Sequence, residues 1–303
     1  MLRVEVGSPH LHLVDLGEVL RQFDVDPGGD EPQWHWSRHT GPVERTALVS
    51  DVHGNLTAYR AVLDDIERRR ITRVLNLGDL VGKGPRGAEC VELTQERCEV
   101  TVLGNWDDFV GREEIELNAA GQWWRGQLGQ DQRAWLTRLP FCHDMVVSGR
   151  RLRLFHASAG DVNTRVFEDH SEEEFRGMFE TTAATGSGPV PTVVAYGDIH
   201  AAYLKVHRGL TLFNAGSVGN ALDEPSASYV VVEGVVDGGP DAPFGLQFVR
   251  VAYDIEGELA AAAELGNPEQ DAYAIELRQA IYRGRAEREG LIAAPDLHHR
   301  AGA

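Results

Sequence analysis

Long hydrophobic runs are missing from this chain. No apolar stretch in its 303 residues approaches the roughly 20 residues that a helix needs to cross a bilayer. The opening segment MLRVEVGSPH includes an acidic residue and lacks the apolar core of a signal peptide. These absences predict a soluble protein that works in the cytoplasm and not in a membrane.

Cysteine is scarce, and its spacing excludes several kinds of site. Cys90, Cys98 and Cys142 form no C-x-x-C pair, so neither a zinc knuckle nor a dithiol redox motif is expected. An odd number of cysteines also argues for reduced thiols in a reducing compartment. We interpret all of them as buried structural residues.

Basic residues are fewer than acidic ones in this chain. The chain has 29 Lys and Arg residues against 47 Asp and Glu residues, which gives a formal net charge of −18. Broad binding to nucleic acid or to an anionic membrane needs surplus Lys and Arg, and is therefore not expected. A phosphate ligand is still compatible with this charge, because bound cations can invert the field at a site.

The chain does contain a regular alternation of short apolar runs and helical patterns. Residues 1–44 form an N-terminal extension in which prolines and glycines interrupt any period. The elements predicted after it are a strand at 44–50, a helix at 56–66, a strand at 73–77, a helix at 88–97 and a strand at 100–103. Two successive β-α-β units predict parallel strands whose carboxyl ends share one edge of a sheet.

More elements are predicted in the second half of the chain. Residues 107–140 indicate one or two helices over that edge, as a lid or as core packing through their tryptophans. The strands predicted beyond are two around the Ser148-Gly149 turn, VVAY at Val193, and LTLFNA, SYVVVEG and FVRVAYD, which suggest a second sheet. A helix at 268–289 should pack outside it. We predict one domain over 45–255 and a C-terminal helical segment, 256–303, packed on it.

Seven side chains that can bind metal follow the ends of apolar runs. They lie in the segments SDVHGN, GD, GNWD, FHAS and GDIH, and are Asp51, His53, Asp79, Asn105, His156, Asp198 and His200. Each segment alone is weak, since an isolated GD is more typical of a helix cap. As an ordered set, these carboxylates, imidazoles and amide suit paired divalent ions that handle phosphate oxygens. The sequence therefore predicts a two-metal hydrolase site.

This ordered set resembles the calcineurin-like metallophosphoesterase family over about residues 45–255. GDLVGKGP and NAGSVGN are particularly similar to segments of bacterial phosphoesterases and of diadenosine tetraphosphatase-like members. The resemblance implies an α/β fold, namely a four-layer α-β-β-α sandwich of two mixed sheets. It also implies a site at the carboxyl ends of the strands.

The resemblance further implies a role for each ligand. Asp51, His53 and His200 would bind one ion, Asn105, His156 and Asp198 the other, Asp79 would bridge them, and Asp79, Asn105 and His156 would serve catalysis. A hydroxide held between the ions would attack phosphorus, so no serine, threonine or cysteine nucleophile is expected. The implied cofactors are two divalent ions, with Mn²⁺ ahead of Fe, Zn, Ni or Mg.

Two positions depart from the family pattern. The family usually has His where Asp198 stands, so three carboxylates would leave a charge of about +1 on two divalent ions. Such a site should bind dianionic monoesters less strongly and favour harder ions such as Mn²⁺. Trp106 stands where many members have a His that protonates the leaving oxygen, which an indole N–H cannot do. Trp106 could instead stack on a base or aryl group, or pack beneath its loop.

These features predict hydrolysis of phosphodiesters or activated phosphoesters, with nucleotides among the candidate small substrates. Lys83 and Arg86 are candidates to contact substrate phosphate, or else are solvated surface charges. A scaffold or binding protein on the same fold is the alternative function. A protein phosphatase ranks third, because Asp107 and Asp108 stand where a basic residue would be expected. No feature of the sequence indicates one oligomeric state over another.

Overall fold

The computed structural model describes residues 41–292, which all lie within one compact unit, His39–Ala303. Most of the predicted N-terminal extension, residues 1–44, and the tail after residue 292 lie outside the described residues. None of the helices within 41–292 is long and apolar enough to cross a membrane.

The first sheet combines strands from both ends of the described chain. Its strands are β1 (Glu44–Val49), β2 (Arg73–Asn76), β3 (Val100–Thr101), β9 (Ala227–Gly234) and β10 (Gly245–Val251), in the order β10-β9-β1-β2-β3. β1, β2 and β3 are parallel, whereas β9 pairs antiparallel with β1 and β10 antiparallel with β9. The prediction that SYVVVEG and FVRVAYD belong to the second sheet is therefore wrong, because β9 returns to pair with β1.

The second sheet is built from the middle of the chain. Its strands are β4 (Cys142–Val147), β5 (Arg150–Phe155), β6 (Val193–Tyr196), β7 (Ala202–His207) and β8 (Leu210–Ala215), in the order β4-β5-β6-β8-β7. β5, β6 and β8 are parallel, and β4 and β7 are antiparallel edge strands. β7 was not predicted, because none of its residues is buried and its apolar signal is correspondingly weak.

Alternate side chains of each strand face different layers. Leu48 and Phe213 lie in a core shared by the two sheets. Ala47 and Val49, the neighbours of Leu48, lie in a second core against the helices outside the first sheet. Both sheets are mixed, so the predicted four-layer α-β-β-α sandwich is confirmed.

Helices cover the outer face of each sheet. Helix α1 (Leu56–Arg68) begins where the Asn55 side chain accepts a hydrogen bond from the Ala58 N–H at 3.0 Å. Its apolar residues recur at helical spacing, and this face packs with α2 (Gly87–Arg97) on the first sheet. On the second sheet, the short helix α6 (Glu172–Gly177) buries Phe175.

The region predicted as a lid, 107–140, folds into short helices bordering the first sheet. They are α3 (Asn105–Gly111), α4 (Ala119–Gly126) and α5 (Gln130–Leu136). Leu136 is buried and Trp135 is half-buried in the core that α1 shares with the first sheet. Core packing thus accounts for much of this region, although α3 begins at a predicted ligand, Asn105.

The C-terminal segment forms several helices instead of the single helix predicted at 268–289. They are α7 (Ile255–Glu264), α8 (Gln270–Gln279) and α9 (Arg283–Arg288). Ala280 has a φ of 53°, which ends α8 and turns the chain into α9. Tyr273 and Leu277 of α8 pack with Leu259 of α7 in a small core of their own.

Candidate metal centre

The predicted ligands follow strand ends that meet at one edge of the two-sheet sandwich. After β1 come Asp51 and His53, after β2 Asp79, after β3 Asn105, after β5 His156, and after β6 Asp198 and His200. Both sheets therefore contribute to one cluster, because the parallel strands of each sheet end at this edge.

Unusual backbone conformations direct these side chains. Five predicted ligands have positive φ angles, at 54° for Asp51, 48° for His53, 59° for Asp79, 65° for Asp198 and 60° for His200. Each such non-glycine residue costs on the order of 1–3 kcal/mol and persists only where the surroundings enforce it. Here the loops bond to each other: the Asp51 N–H donates to the Gly78 carbonyl and the His53 N–H to the Asp79 carbonyl, both at 2.9 Å.

Asp79 has one oxygen between two imidazoles. Its Oδ2 lies 3.5 Å from His53 Nε2 and 3.4 Å from His156 Nε2. Its Oδ1 instead accepts a hydrogen bond from the Trp106 backbone N–H at 2.9 Å. The carboxylate is thereby fixed with one oxygen toward the cluster and one away from it.

Asp51 is oriented in the same way. Its Oδ2 accepts hydrogen bonds from the Ser50 hydroxyl at 2.5 Å and from the Asp198 N–H at 3.1 Å. Its Oδ1 lies 3.2 Å from His200 Nε2 and 3.7 Å from His53 Nε2. Two groups of ligand atoms, each within 4.8 Å of one another, share this aspartate, and they are Asp51-His53-His200 and Asp51-Asp79-His156.

Backbone carbonyls set the tautomer of all three histidines. Nδ1 lies 3.2 Å from the Val81 oxygen in His53, 2.8 Å from the Leu77 oxygen in His156 and 2.6 Å from the Asn220 oxygen in His200. A carbonyl only accepts, so each Nδ1 carries a proton, and Nε2 is the nitrogen that each ring leaves for a metal ion. The Nε2 atoms of His53 and His200 are 3.0 Å apart. Two nitrogen lone pairs this close repel each other, and a cation between them would remove that repulsion.

Several side-chain atoms of the predicted ligands are buried without a hydrogen-bond partner. Among the described residues these include Asp51 Oδ1, Asn105 Oδ1, His156 Nε2 and Asp198 Oδ2. Leaving a buried polar atom unsatisfied costs about 1–3 kcal/mol, and more for a charged group. Carboxylate oxygen, amide oxygen and unprotonated imidazole nitrogen are all good ligands for divalent cations. The residues present therefore fit a pair of such ions.

Asp198 lies at the border of this cluster. Its Oδ1 is 3.8 Å from His156 Nε2, and its Oδ2 is 3.4 Å from Nε of Arg165. Burial raises the pKa of Asp198, with His156 and Arg165 acting in the opposite direction. Arg165 was not among the sequence candidates, because nothing in the sequence marks it apart from other arginines.

The electrostatics of the cluster favour added positive charge. Burial lowers the pKa of His53 to about 4. Burial also lowers the pKa of His156, but the carboxylates of Asp79, Asp51 and Asp198 outweigh it and raise that pKa well above its usual value. A group that binds a proton so strongly is beside excess negative charge, which a metal ion at the same nitrogen would also neutralise.

Asp107 fixes the loop that carries Asp79. Its fully buried carboxylate accepts hydrogen bonds from the N–H groups of Asp79 at 2.8 Å, Leu80 at 2.9 Å and Gly104 at 3.2 Å. Gly104 permits this approach, since a Cβ there would lie 2.2 Å from Asp79 Oδ1. The sequence signal was the final residue of the GNWD segment, to which we had given no role.

Trp106 is held in place by aromatic neighbours. Its ring is 4.9 Å from that of Phe109, 5.2 Å from that of Trp124 and 5.6 Å from that of His53, nearly perpendicular to the last two. Gly82 makes room for it, because a Cβ at Gly82 would lie 1.9 Å from the indole. Trp106 is half-buried, so the predicted packing beneath its loop is present and part of the residue still reaches solvent.

Lys83 and Arg86 both have partners within the protein. The Lys83 ammonium donates to Asn220 Oδ1 at 2.8 Å and is buried, so it is not a surface charge. Burial lowers the pKa of Lys83 to about 8. Arg86 donates to Thr57 at 2.7 Å and forms an ion pair with buried Glu258. Their contact with substrate stays a prediction.

Asn220 connects the cluster to the C-terminal helices. Besides accepting from His200, it donates from Nδ2 to Oε2 of buried Glu276 at 3.1 Å. Glu276 in turn pairs with Arg283 at 2.8 Å. The sequence pointed to NAGSVGN as a motif, but Glu276 and Arg283 had no local signal and were missed.

Known proteins resemble the chain in both sequence and structure. The calcineurin-like phosphoesterase superfamily domain matches residues 45–235. The uncharacterized protein MJ0912 of Methanocaldococcus jannaschii is 29% identical over 227 residues, which are 69% of this chain and 88% of that protein. A metallophosphoesterase crystal structure from Sphaerobacter thermophilus has a TM-score of 0.62 and 27% identity, covering 78% of this chain and 99% of its own.

A second solved structure extends the likeness of fold. The hypothetical protein PH1004 from Pyrococcus horikoshii OT3 has a TM-score of 0.63 at 15% identity, again covering 78% of this chain and 99% of that one. The matched range 45–235 includes every predicted ligand and ends before α7, α8 and α9. The predicted family is thus confirmed, and its phosphoesterase members support a hydrolase. This chain is a member of the calcineurin-like phosphoesterase superfamily.

Proposed function

We propose that this protein hydrolyses phosphodiesters or activated phosphoesters with two divalent ions, and that nucleotides are among its small substrates. The observation that carries the proposal is Asp79 Oδ2, which lies within 3.5 Å of Nε2 of both His53 and His156. One carboxylate oxygen between the Nε2 atoms of two imidazoles is the arrangement expected of a ligand shared by two ions. Family membership supports the same reaction class.

The seven predicted ligands would divide between two ions. Asp51, His53 and His200 would hold the first, Asn105, His156 and Asp198 the second, and Asp79 both. Mn²⁺ is our preferred ion, because three carboxylates and an amide add hard oxygen ligands to three imidazoles. Bound divalent ions would stabilise negative charge on phosphate oxygens and make water a nucleophile at neutral pH.

The protein's own contribution is orientation. Carbonyl acceptors keep the three imidazoles in the metal-binding tautomer, and the hydrogen bonds to Asp51 and Asp79 leave one oxygen of each facing the cluster. Preorganised ligands need no rearrangement when substrate arrives. No serine, threonine or cysteine nucleophile is part of the proposal.

The preference for good leaving groups rests on Trp106. Its indole, packed against Phe109 and Trp124, occupies the position at which a general acid would be expected. Esters with acidic leaving alcohols need least help from such an acid. Aryl diesters should therefore react faster than alkyl monoesters.

The same residue supports the alternative of a scaffold with little activity. A packed aromatic side chain in place of an acid would suit a protein that binds a partner and does not turn over substrate. Intact ligands at all seven positions argue against this alternative. A protein phosphatase is disfavoured, since Asp107 is used internally to bind backbone N–H groups.

The direct test is Mn²⁺-dependent hydrolysis of bis-p-nitrophenyl phosphate, beside p-nitrophenyl phosphate. Asp79→Ala should lower turnover of the diester more than the loss of a residue that only orients a metal ligand, which costs ~10- to 100-fold. Asp64→Ala, on the exposed face of α1, is the matched control and should act like the wild type. Absence of turnover with every divalent ion would favour the scaffold instead.

A further inference from the structure

Arg165 places a cation at the border of the candidate metal centre. It lies in the loop between β5 and α6, nine positions after His156. Its Nε is 3.4 Å from Asp198 Oδ2 and 3.5 Å from Asp198 Oδ1, and 44% of its side chain is exposed. The guanidinium therefore touches the ligand cluster from the solvent side.

The other cations near the centre are held by different partners. Lys83 is only 5% exposed and donates to Asn220. Arg283 is fixed by Glu269 and Glu276. Arg86 is similarly paired with Glu258. Within residues 41–292, Arg165 thus combines access to solvent with a carboxylate partner that is itself a predicted metal ligand.

That partner would change when metal binds. A carboxylate shared with a divalent ion has less negative charge to offer an arginine, so the attraction between Asp198 and Arg165 would weaken. A guanidinium is a planar fork of donors whose geometry matches two oxygens of a phosphate. Once metal weakens its attraction to Asp198, Arg165 would thus be free to bind a phosphate.

Tyr282 supports the position of the guanidinium. The Tyr282 hydroxyl is a neighbour of the Arg165 guanidinium, which keeps its charge as arginine does throughout proteins. Tyr282 immediately precedes Arg283, whose guanidinium is tied to Glu276 at 2.8 Å. The C-terminal helices thus supply an anchored neighbour to the exposed cation.

We propose that Arg165 binds a phosphate oxygen of the substrate beside the metal centre, and is thereby a specificity-determining residue for phosphorylated ligands. This inference rests on the proposed phosphoesterase function for its substrate, but anion binding can be measured separately. A residue that merely balances the charge of Asp198 would affect metal binding and not phosphate binding.

The test uses the full-length Mn²⁺-loaded protein with inorganic phosphate as the probe. Arg165→Gln should weaken phosphate binding in calorimetry by ~10- to 100-fold, the range for charge-assisted hydrogen bonds. Arg165→Lys should recover part of the affinity, as a point charge without the fork. The control is Arg176→Gln, which removes an arginine paired with Glu172 on the surface of α6, and it should change nothing.

Metal content and steady-state kinetics separate the outcomes. In Arg165→Gln, bound manganese should stay at the wild-type level, and KM for bis-p-nitrophenyl phosphate should rise more than kcat falls. Phosphate binding within twofold of the wild type, loss of manganese in its place, or no phosphate binding by the wild type would overturn the inference. Arg165-dependent phosphate binding without turnover of any ester would retain it and reject the proposed function.

Discussion

At the scale of single residues, Asp107 shapes the candidate centre without facing it. Its carboxylate gathers three backbone N–H groups from the loops that carry Asp79 and Asn105. Burial and the nearby Asp79 raise the pKa of Asp107 to about 7. The surroundings of Asp107 therefore disfavour its charged form. The hydrogen bonds that this carboxylate accepts hold the ligand loops in position.

Asp107→Asn should destabilise the protein and weaken metal binding. The amide keeps one acceptor oxygen and places an N–H₂ group against a backbone donor, which should lower the free energy of unfolding by about 1–3 kcal/mol. Affinity for Mn²⁺ should fall ~10- to 100-fold, as for other residues that orient ligands. Urea unfolding and Mn²⁺ titration measure the two effects.

Asp108→Asn is the neighbouring control for this prediction. Asp108 of α3 forms an ion pair at 2.6 Å with Arg112, which directly follows the helix, and part of the Asp108 side chain is exposed. Loss of such a pair should cost no more than about 1 kcal/mol. Equal effects of the two substitutions on Mn²⁺ affinity would contradict the role assigned to Asp107.

Trp106 gives a second prediction at the residue scale. In a series of aryl phosphodiesters, the rate should fall steeply as the pKa of the leaving phenol rises, if Trp106 takes the place of the acid that would protonate it. Trp106→His should flatten that dependence, although the lost contacts with Phe109 and Trp124 should cost stability, by less than the ~3–5 kcal/mol of a core Trp→Ala substitution. Identical slopes for the two proteins would exclude leaving-group protonation as the missing function.

At the scale of elements, the C-terminal helices brace the loops of the site. Asn267, just before α8, donates to the Lys83 carbonyl at 2.8 Å. Glu276 of α8 accepts from Asn220, whose carbonyl fixes His200. These helices lie beyond the range 45–235 that the family domain matches, so the support they give to the site comes from outside that domain.

Glu276→Gln should destabilise the protein in a pH-dependent manner. Burial raises the pKa of Glu276, but Lys83 and Arg283 outweigh it and hold that pKa well below its ordinary value of 4.5. Stability from this group is therefore fully present above about pH 4.5 and is lost as pH falls through its folded-state pKa. At pH 7 the substitution should cost about 3–5 kcal/mol, as for a broken buried ion pair.

Denaturant unfolding between pH 7 and pH 3 checks this sign. The difference between wild type and Glu276→Gln should be constant down to about pH 5 and then shrink. Glu264→Gln, at an exposed position of α7, should show little difference throughout. A gap that widened in acid would mean that Glu276 is held in its neutral form.

At the scale of the whole molecule, the candidate centre joins the two sheets. Asp51 and Asp79 come from the first sheet, and His156, Asp198 and His200 come from the second. Buried carboxylates from separate sheets repel one another unless a cation lies between them. We therefore expect metal binding to stabilise the sandwich as a unit.

Chelation should lower the melting temperature, and Mn²⁺ should restore it. Free Mn²⁺ at about 100 times its Kd would add about 2.7 kcal/mol to the free energy of unfolding, or several degrees in Tm. Asp79→Ala should lose most of this response, whereas Asp64→Ala should keep it. The same Mn²⁺ response in both variants would place the stabilising ion elsewhere.

The family, the layered α/β fold and the strands of both β-α-β units could all be predicted from the sequence. Apolar runs ending in DVH, GD and GN are local signals, since a buried strand and the polar residue after it are read from a few consecutive positions. The structure brings Asp51, His53, Asp79, His156 and His200 together as that pattern predicts.

The sheet that β9 and β10 join, and the residues that support the cluster, depend on how the chain packs in three dimensions. β9 pairs with β1 although the two strands lie near opposite ends of the domain sequence, with Gly234 opposite Glu44. Lys83 and Asn220, which form a hydrogen bond, are 137 positions apart in the chain. Arg165, Asp107 and Glu276 look like ordinary charged residues in the sequence. Their partners are distant in the chain, and neither periodicity nor local spacing carries information on contacts that only the packed fold creates.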